Sequence, residues 1–233
     1  MSIKQLLPGL YAIGLGPVNV FLIDDGDALT LIDTGTSGSE RPILEALAKV
    51  GRAPADVRNI LVTHCHPDHA GGLAALKSAT GAEAWMHADD AALVRTGVVS
   101  RPIKAAPGLL NRVLKRLLID TTPGVVPPAE VEHEVADGDV IPLAGGLCAI
   151  HAPGHCAGQL AFLWQRHGGV LFAADTCSNM LGLAYSVVYE DLEEGKRSLH
   201  KLAGAEFANA TFGHGRAIIG GADARWRGKW DGR

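Results

Sequence analysis

The sequence predicts an α/β protein built from layered sheets and helices. Short β-favouring runs alternate with helically spaced ones along most of the chain. Gly and Asp-Gly turns separate them, and polar or ionisable residues stand where the apolar strands end. Composition agrees: 233 residues, 47% hydrophobic and 20% charged, describe an ordinary globular chain that needs no staples. A net charge of −4 argues against a dedicated nucleic-acid binder, which would carry a basic footprint. No run of about 18 apolar residues is present, so no transmembrane helix and no membrane partner are expected. The first residues, broken by Pro8, Gly9, Gly14 and Gly16, do not read as a targeting segment. Cys65, Cys148, Cys156 and Cys177 form no C-x-x-C pair, and the expected setting is a reducing cytoplasm.

Tyr11–Leu15, Val18–Asp24 and Ala28–Ile32 read as strands, with Asp25-Gly26 as a hairpin turn. Ser39 is a candidate N-cap for a helix carrying Ile43, Leu44, Leu47 and Val50. Asn59–Thr63 is a buried-type strand that runs into a histidine cluster. Ala70–Thr80 reads as one short helix and Ala84–His87 as a strand. From about 96 to 128 the pattern changes: five prolines flank a helically spaced run, Leu109–Leu118, that carries Arg112, Lys115 and Arg116. This segment reads as a surface insertion near a site, within a single domain spanning 1–233. It is expected to cap the pocket and choose the substrate, or simply to be a solvated amphipathic helix. Strands resume at Leu147–Ile150, Gln159–Trp164 and Val170–Ala174, followed by a helix over Asp191–Leu202 that Gly195 weakens. Ala210–Phe212 and Ala217–Ile219 are final strands, and the polar tail Arg225–Arg233 is expected to fray or to pack as an edge.

Chemistry concentrates in Thr63-His64-Cys65-His66-Pro67-Asp68-His69-Ala70-Gly71-Gly72. In an extended segment, positions i and i+2 point the same way, so His64 and His66 converge on one point. Pro67 stops the strand, and Asp68 and His69 then face a second point nearby. Gly71 and Gly72 allow close backbone packing behind them. Imidazole and carboxylate are the usual ligands of zinc and also suit iron or manganese. Three later residues fit the same site: His155 after a tight turn, Asp175 at the end of an apolar strand, and His214 between two glycines. Strand ends are where α/β folds gather functional groups. An isolated strand-end histidine is more often structural; the agreement of all three with the first cluster is what carries weight.

These motifs resemble the metallo-β-lactamase-fold superfamily, and within it the glyoxalase II-like hydrolases. His64, His66, Asp68 and His69 match the H-x-H-x-D-H motif, and His155, Asp175 and His214 match the later ligands. Asp33, in Leu31-Ile32-Asp33-Thr34-Gly35, matches an early aspartate that usually supports the ligands from behind. The resemblance implies a four-layer αββα sandwich with the metal site at one edge of the two sheets. It implies two divalent ions, zinc first and iron or manganese as alternatives. His64, His66 and His155 would hold one, Asp68, His69 and His214 the other, with Asp175 bridging. The implied reaction is hydrolysis of an ester, thioester or lactone of a small molecule by a metal-bridging hydroxide, with Asp68 moving a proton. The alternative is a persulfide dioxygenase using one iron on His64, His155 and Asp175. Glyoxalase II enzymes add a helical glutathione-gripping domain, whereas nineteen residues follow His214 here, so glutathione specificity is not expected. Lactonases of this fold often place a tyrosine where this chain has Ser178; Tyr185 or Tyr189 could substitute in space.

The cysteines beside the ligands read as small buried hydrophobes, with Cys177 the best candidate for something more. His87, His133, His167 and His200 have no converging partners, and His151 could support His155. The apolar insertion and the tail tryptophans could form a homodimer contact.

Overall fold

A computed structural model describes residues 2–231. The chain opens with an antiparallel meander: β1 (Ser2–Leu7), β2 (Leu10–Gly14), β3 (Asn19–Asp24) and β4 (Leu29–Ile32). Gly9 makes the first turn at φ 73°, and a Cβ there would lie 2.6 Å from the Asp24 carbonyl oxygen. Helix α1 (Glu40–Lys49) crosses over to β5 (Val57–Leu61), which pairs parallel to β4. Then come α2 (Pro67–Ala70), α3 (Leu73–Thr80), β6 (Glu83–Met86), α4 (Ala88–Thr96), β7 (Lys104–Ala105), α5 (Leu109–Leu114) and β8 (His133–Glu134). The second half comprises β9 (Val140–Ile141), β10 (Leu147–His151), β11 (Leu160–Trp164), β12 (Val170–Phe172), β13 (Val188–Tyr189), α6 (Leu192–Ala203), β14 (Asn209–Thr211), β15 (Ile218–Ile219) and α7 (Ala222–Trp230).

One sheet runs β1-β2-β3-β4-β5-β6-β8 and the other β15-β14-β12-β11-β10-β9, while β7 and β13 form a separate ribbon. Strand alternation sorts the apolar residues into three layers of contact. On β3, Val20 and Leu22 face α1 and α3, whereas Phe21 and Ile23 face the other sheet. On β11, Leu160, Phe162 and Trp164 meet the first sheet, and Ala161 and Leu163 lie under α6 and α7. The result is the expected helix–sheet–sheet–helix sandwich.

Several elements differ from the sequence expectation. The helix read over Ala70–Thr80 is two pieces, because Gly71 and Gly72 press on the 34–37 backbone; a Cβ on Gly72 would lie 2.4 Å from the Thr34 carbonyl oxygen. Ser39 occupies the N-cap of α1 but makes no capping bond, and its hydroxyl pairs with that of Thr36 at 3.2 Å. Strand β1 and helix α4 were not foreseen. The tail neither frays nor forms a strand edge over its described part: α7 buries Trp226 completely, and its indole N–H donates to the Leu199 carbonyl at 2.9 Å. Gly195 is tolerated in α6 because the chain passes close on two sides; a Cβ there would meet the Tyr189 ring at 2.6 Å. In the 96–128 segment, Val98 bridges to Val125, and between them β7 pairs with β13. The helix there ends at Leu114 and continues as a π-turn to Ile119, leaving Leu109, Leu110, Leu117 and Leu118 exposed. No described helix is long and apolar enough to cross a membrane.

Candidate metal centre

The C-terminal ends of β4, β5, β10, β12 and β14 meet where the two sheets adjoin, and each delivers one predicted site residue or more. Past β5 the chain stays extended through Thr63, whose carbonyl accepts the Leu160 amide of the second sheet at 2.8 Å. That bond locks the histidine loop between the sheets. From it, His64 and His66 approach His155, and His69 approaches Asp175. The ligand-type atoms of His64, His66 and His155 lie within 4.8 Å of one another. The same holds for His64, His69 and Asp175, and for Asp68, His69 and His214. All seven predicted residues therefore fall into one cluster.

Four of the five imidazoles are turned by a bond on the far side, while His66 meets His155 Nε2 through its Nδ1 at 2.9 Å. His64 Nδ1 lies 3.0 Å from the Thr63 hydroxyl, which itself donates to Asp33 Oδ2 at 2.9 Å. His69 Nδ1 donates to the same Asp33 oxygen at 2.8 Å. His155 Nδ1 donates to the Val188 carbonyl at 2.7 Å and His214 Nδ1 to the Pro17 carbonyl at 2.8 Å. With Nδ1 committed to these bonds in all four, Nε2 is the atom turned inward. Asp33 is buried behind the cluster and does not enter it, with its Oδ1 accepting the Thr63 amide at 2.8 Å. It adopts φ 66°, and Ala174, just before Asp175, adopts φ 49°. Such left-handed residues cost on the order of 1–3 kcal/mol and gather at functional sites.

Electrostatics divides the cluster in two. Burial, reinforced by neighbouring imidazoles, drives His64 well below its ordinary pKa, and burial likewise lowers His66 to about 3. His155 is lowered by the same burial. On the other side burial is outweighed by ion pairing. His214 lies 3.1 Å from Asp175 and 3.3 Å from Asp68, and these carboxylates push it up to about 12. Asp68, Asp33 and Asp175 raise His69 to about 9. Against their own burial, Asp68 and Asp175 are held well below the usual carboxylate range by these histidines.

The donor set fits metal ions on an observation independent of any motif. His64 Nε2, His69 Nε2 and Asp175 Oδ1 are buried and have no hydrogen-bond partner. Three unpaired polar atoms converging in one place would be expensive without an ion to bind them. Space is also reserved: a Cβ on Gly213 would lie 2.1 Å from Asp175 Oδ1.

Other sequence candidates are placed elsewhere. His151 stacks on His87 and bonds the Ala157 carbonyl at 2.8 Å, so it does not support His155. His133 pairs with Glu83 and stacks on Trp85. Cys177 is buried in the outer core beneath α6 and α7. Tyr189 donates its hydroxyl to the Thr176 carbonyl, and Tyr185 packs on Trp230, so neither hydroxyl serves the centre. Sequence reasoning missed Asp90. It is fully buried beside the histidine loops, in the first turn of α4, and no local sequence signal marks it.

The chain belongs to the Metallo-beta-lactamase superfamily, whose family model matches residues 13–211. It is 29% identical over 202 residues to the thioesterase pkgB of Emericella nidulans, covering 86% of this chain and 46% of that protein. It is also 29% identical over 180 residues to a hydroxyacylglutathione hydrolase of Rhodopseudomonas palustris, covering 74% of this chain and 54% of that one. The chain thus spans about half the length of these curated relatives. Among solved structures, a Cronobacter sakazakii metallo-beta-lactamase HARLDQ motif mutant superposes with a TM-score of 0.73 at 24% identity. That match covers 92% of this chain and 80% of the other, and shows the fold.

Proposed function

We propose that this protein is a metal-dependent hydrolase that takes two divalent ions, zinc foremost, and cleaves the carbonyl of a thioester, ester or lactone in a small molecule. The observation that carries this reading is the set of unpartnered buried atoms, His64 Nε2, His69 Nε2 and Asp175 Oδ1, at the meeting point of seven ligand-type side chains. His64, His66 and His155 would hold one ion, and Asp68, His69 and His214 the other, with Asp175 shared. When bound, such ions supply Lewis acidity, which acidifies water near neutral pH and polarises a carbonyl oxygen.

The chain's own residues supply orientation and proton handling. Asp33, Thr63 and the Val188 and Pro17 carbonyls fix the imidazole tautomers, so the donor atoms are preorganised. Asp175 is nearly sealed from solvent, and its histidines keep it ionised and acceptor-only against that burial. Asp68 is more open, with its side chain 38% exposed, and is the carboxylate through which a proton can pass between the site and water. The similarity to a named thioesterase and to hydroxyacylglutathione hydrolases supports acyl transfer to water as the reaction class. The 96–128 segment joins the site's border through β7, because β13 carries the Val188 carbonyl that orients His155. Substrate selection is the role we assign to it.

The test is elemental analysis of untagged protein together with turnover of model thioesters and lactones. About two zinc or other divalent ions per chain and hydrolysis of either substrate would support the reading. A single iron per chain with oxygen uptake on a glutathione persulfide would replace it with the dioxygenase alternative.

A further inference from the structure

Behind the metal centre lies a second ionic cluster that the proposed chemistry does not use. Asp90, in the first turn of α4, has no exposed surface. Its Oδ2 accepts the Cys65 amide at 2.9 Å and the Cys156 thiol at 3.1 Å. Its Oδ1 accepts the Gly158 amide at 3.1 Å and the Arg101 guanidinium at 2.6 Å. Cys65 stands between His64 and His66, and Cys156 directly follows His155. One carboxylate therefore holds both loops that carry the three-histidine set. The fit is tight: a Cβ on Gly158 would lie 2.5 Å from the Asp90 carboxyl carbon. Arg101 reaches in from the start of the 96–128 segment. It also bonds the Asp89 carbonyl at 2.8 Å and comes within 3.5 Å of Glu190, whose other oxygen accepts the Ala157 amide at 3.1 Å.

We propose that Asp90 is a positioning residue for the three-histidine set, clamping the His64–His66 loop to the His155 loop, and that Arg101 ties the surface insertion to this clamp. The inference rests on the metal-dependent reading of the site. A carboxylate is required because four donors surround two oxygens. An amide offers one acceptor oxygen, and its NH2 would face either the Cys65 amide and the Cys156 thiol or the Gly158 amide and the Arg101 guanidinium. A buried charge with these partners is paired and satisfied, whereas an unsatisfied one would not persist. The two thiols, 3.6 Å apart, complete the cradle, with the Cys156 thiol as a donor.

The experiment is zinc affinity by chelator competition on the full chain, with the visible absorption spectrum of the cobalt-loaded protein as a geometry readout. Asp90→Asn is expected to weaken zinc binding about 10–100-fold, the range for residues that orient metal ligands. It should also shift the cobalt bands while leaving far-ultraviolet circular dichroism unchanged. Arg101→Met is expected to do the same to a lesser degree, and Arg101→Lys to restore most of the loss. Folded Asp90→Asn protein with wild-type zinc affinity and wild-type cobalt bands would overturn the proposal. Should Asp90→Asn not fold, the arginine pair decides: loss with Met and recovery with Lys supports the clamp, and unchanged affinity in Arg101→Met overturns it. Wild-type protein that takes up no zinc or cobalt would instead refute the metal-dependent reading itself.

Discussion

The histidines in the two halves of the candidate centre reach opposite charge states. His64, His66 and His155 are buried together, and desolvation outweighs the pull of nearby Asp175 and keeps them neutral. His69 and His214 are as close to Asp68 and Asp175 as the first three are to each other, and ion pairing wins over burial. The first half is ready to donate lone pairs. The second is a set of carboxylates neutralised by protons on imidazoles, and an ion entering it must displace those protons. Burial alone therefore does not predict the state of a histidine; the balance between burial and the number of carboxylates around it does.

The largest effect should come from the residue between the halves. Asp175 Oδ2 lies 3.1 Å from His214 and 3.6 Å from His155. Asp175→Ala is expected to drop metal content from about two ions to one or fewer and to reduce hydrolysis by roughly a thousandfold or more, since metal ions supply several kcal/mol of charge stabilisation. Elemental analysis and turnover check it together. Full occupancy and turnover in the variant would mean that the halves do not share a ligand.

Next comes Asp33, which serves the carboxylate half directly through His69. Asp33→Asn keeps a residue that tolerates φ 66° but loses an acceptor for one of three donors, the Thr63 amide, the Thr63 hydroxyl and His69 Nδ1. A loss of about 10–100-fold in affinity is expected for the second ion, with a smaller loss for the first. Stepwise zinc titration separates the two, and equal losses would contradict the assignment of Asp33 to one half.

Much of this was legible in the sequence because the ligand residues are local or sit at strand ends. Thr63 to Gly72 is one contiguous segment, and its i, i+2 spacing already converges two histidines. His155, Asp175 and His214 each follow an apolar run, which is visible without a structure. The bonds that set tautomers were not legible, since the Val188 and Pro17 carbonyls exist at every position of every chain, and only tertiary packing selects them. Asp90 was invisible for a related reason: its partners lie 25 and 68 residues away along the chain. Helix α4 escaped because Ala-Asp-Asp-Ala-Ala carries little apolar periodicity, although His87 and Gly97 cap its two ends. The paired thiols were missed because strand alternation correctly sends Cys65 to the core but does not say which side chain it meets there.

A pH titration sharpens the comparison further. His69, near 9, and His214, near 12, are protonated at pH 7 without an ion and must lose those protons to donate Nε2. Affinity of the carboxylate half should therefore rise with pH, by up to about tenfold per pH unit for each proton released. The three-histidine half, with all three imidazoles lowered from their ordinary pKa, should change less over the same range. Zinc titrations between pH 6 and pH 8 test this through the ratio of the two stepwise constants, and calorimetry in buffers of different ionisation enthalpy counts the protons. A constant ratio would remove the electrostatic distinction between the halves.

The smallest effect tests whether the halves are independent. The Thr63 hydroxyl is the one group that supports both, donating to Asp33 Oδ2 and accepting from His64 Nδ1. Thr63→Val removes it with little change in shape. His64 then keeps a buried donor with no acceptor, and Asp33 loses one of its bonds. Leaving a buried group unsatisfied costs about 1–3 kcal/mol, so both stepwise zinc constants are expected to fall by roughly tenfold. Thr63→Ser keeps the hydroxyl and should retain wild-type affinity. A Thr63→Val effect confined to one ion would show that the two supports do not communicate through this hydroxyl. In that case the halves are separate sites that happen to adjoin, joined only through Asp175.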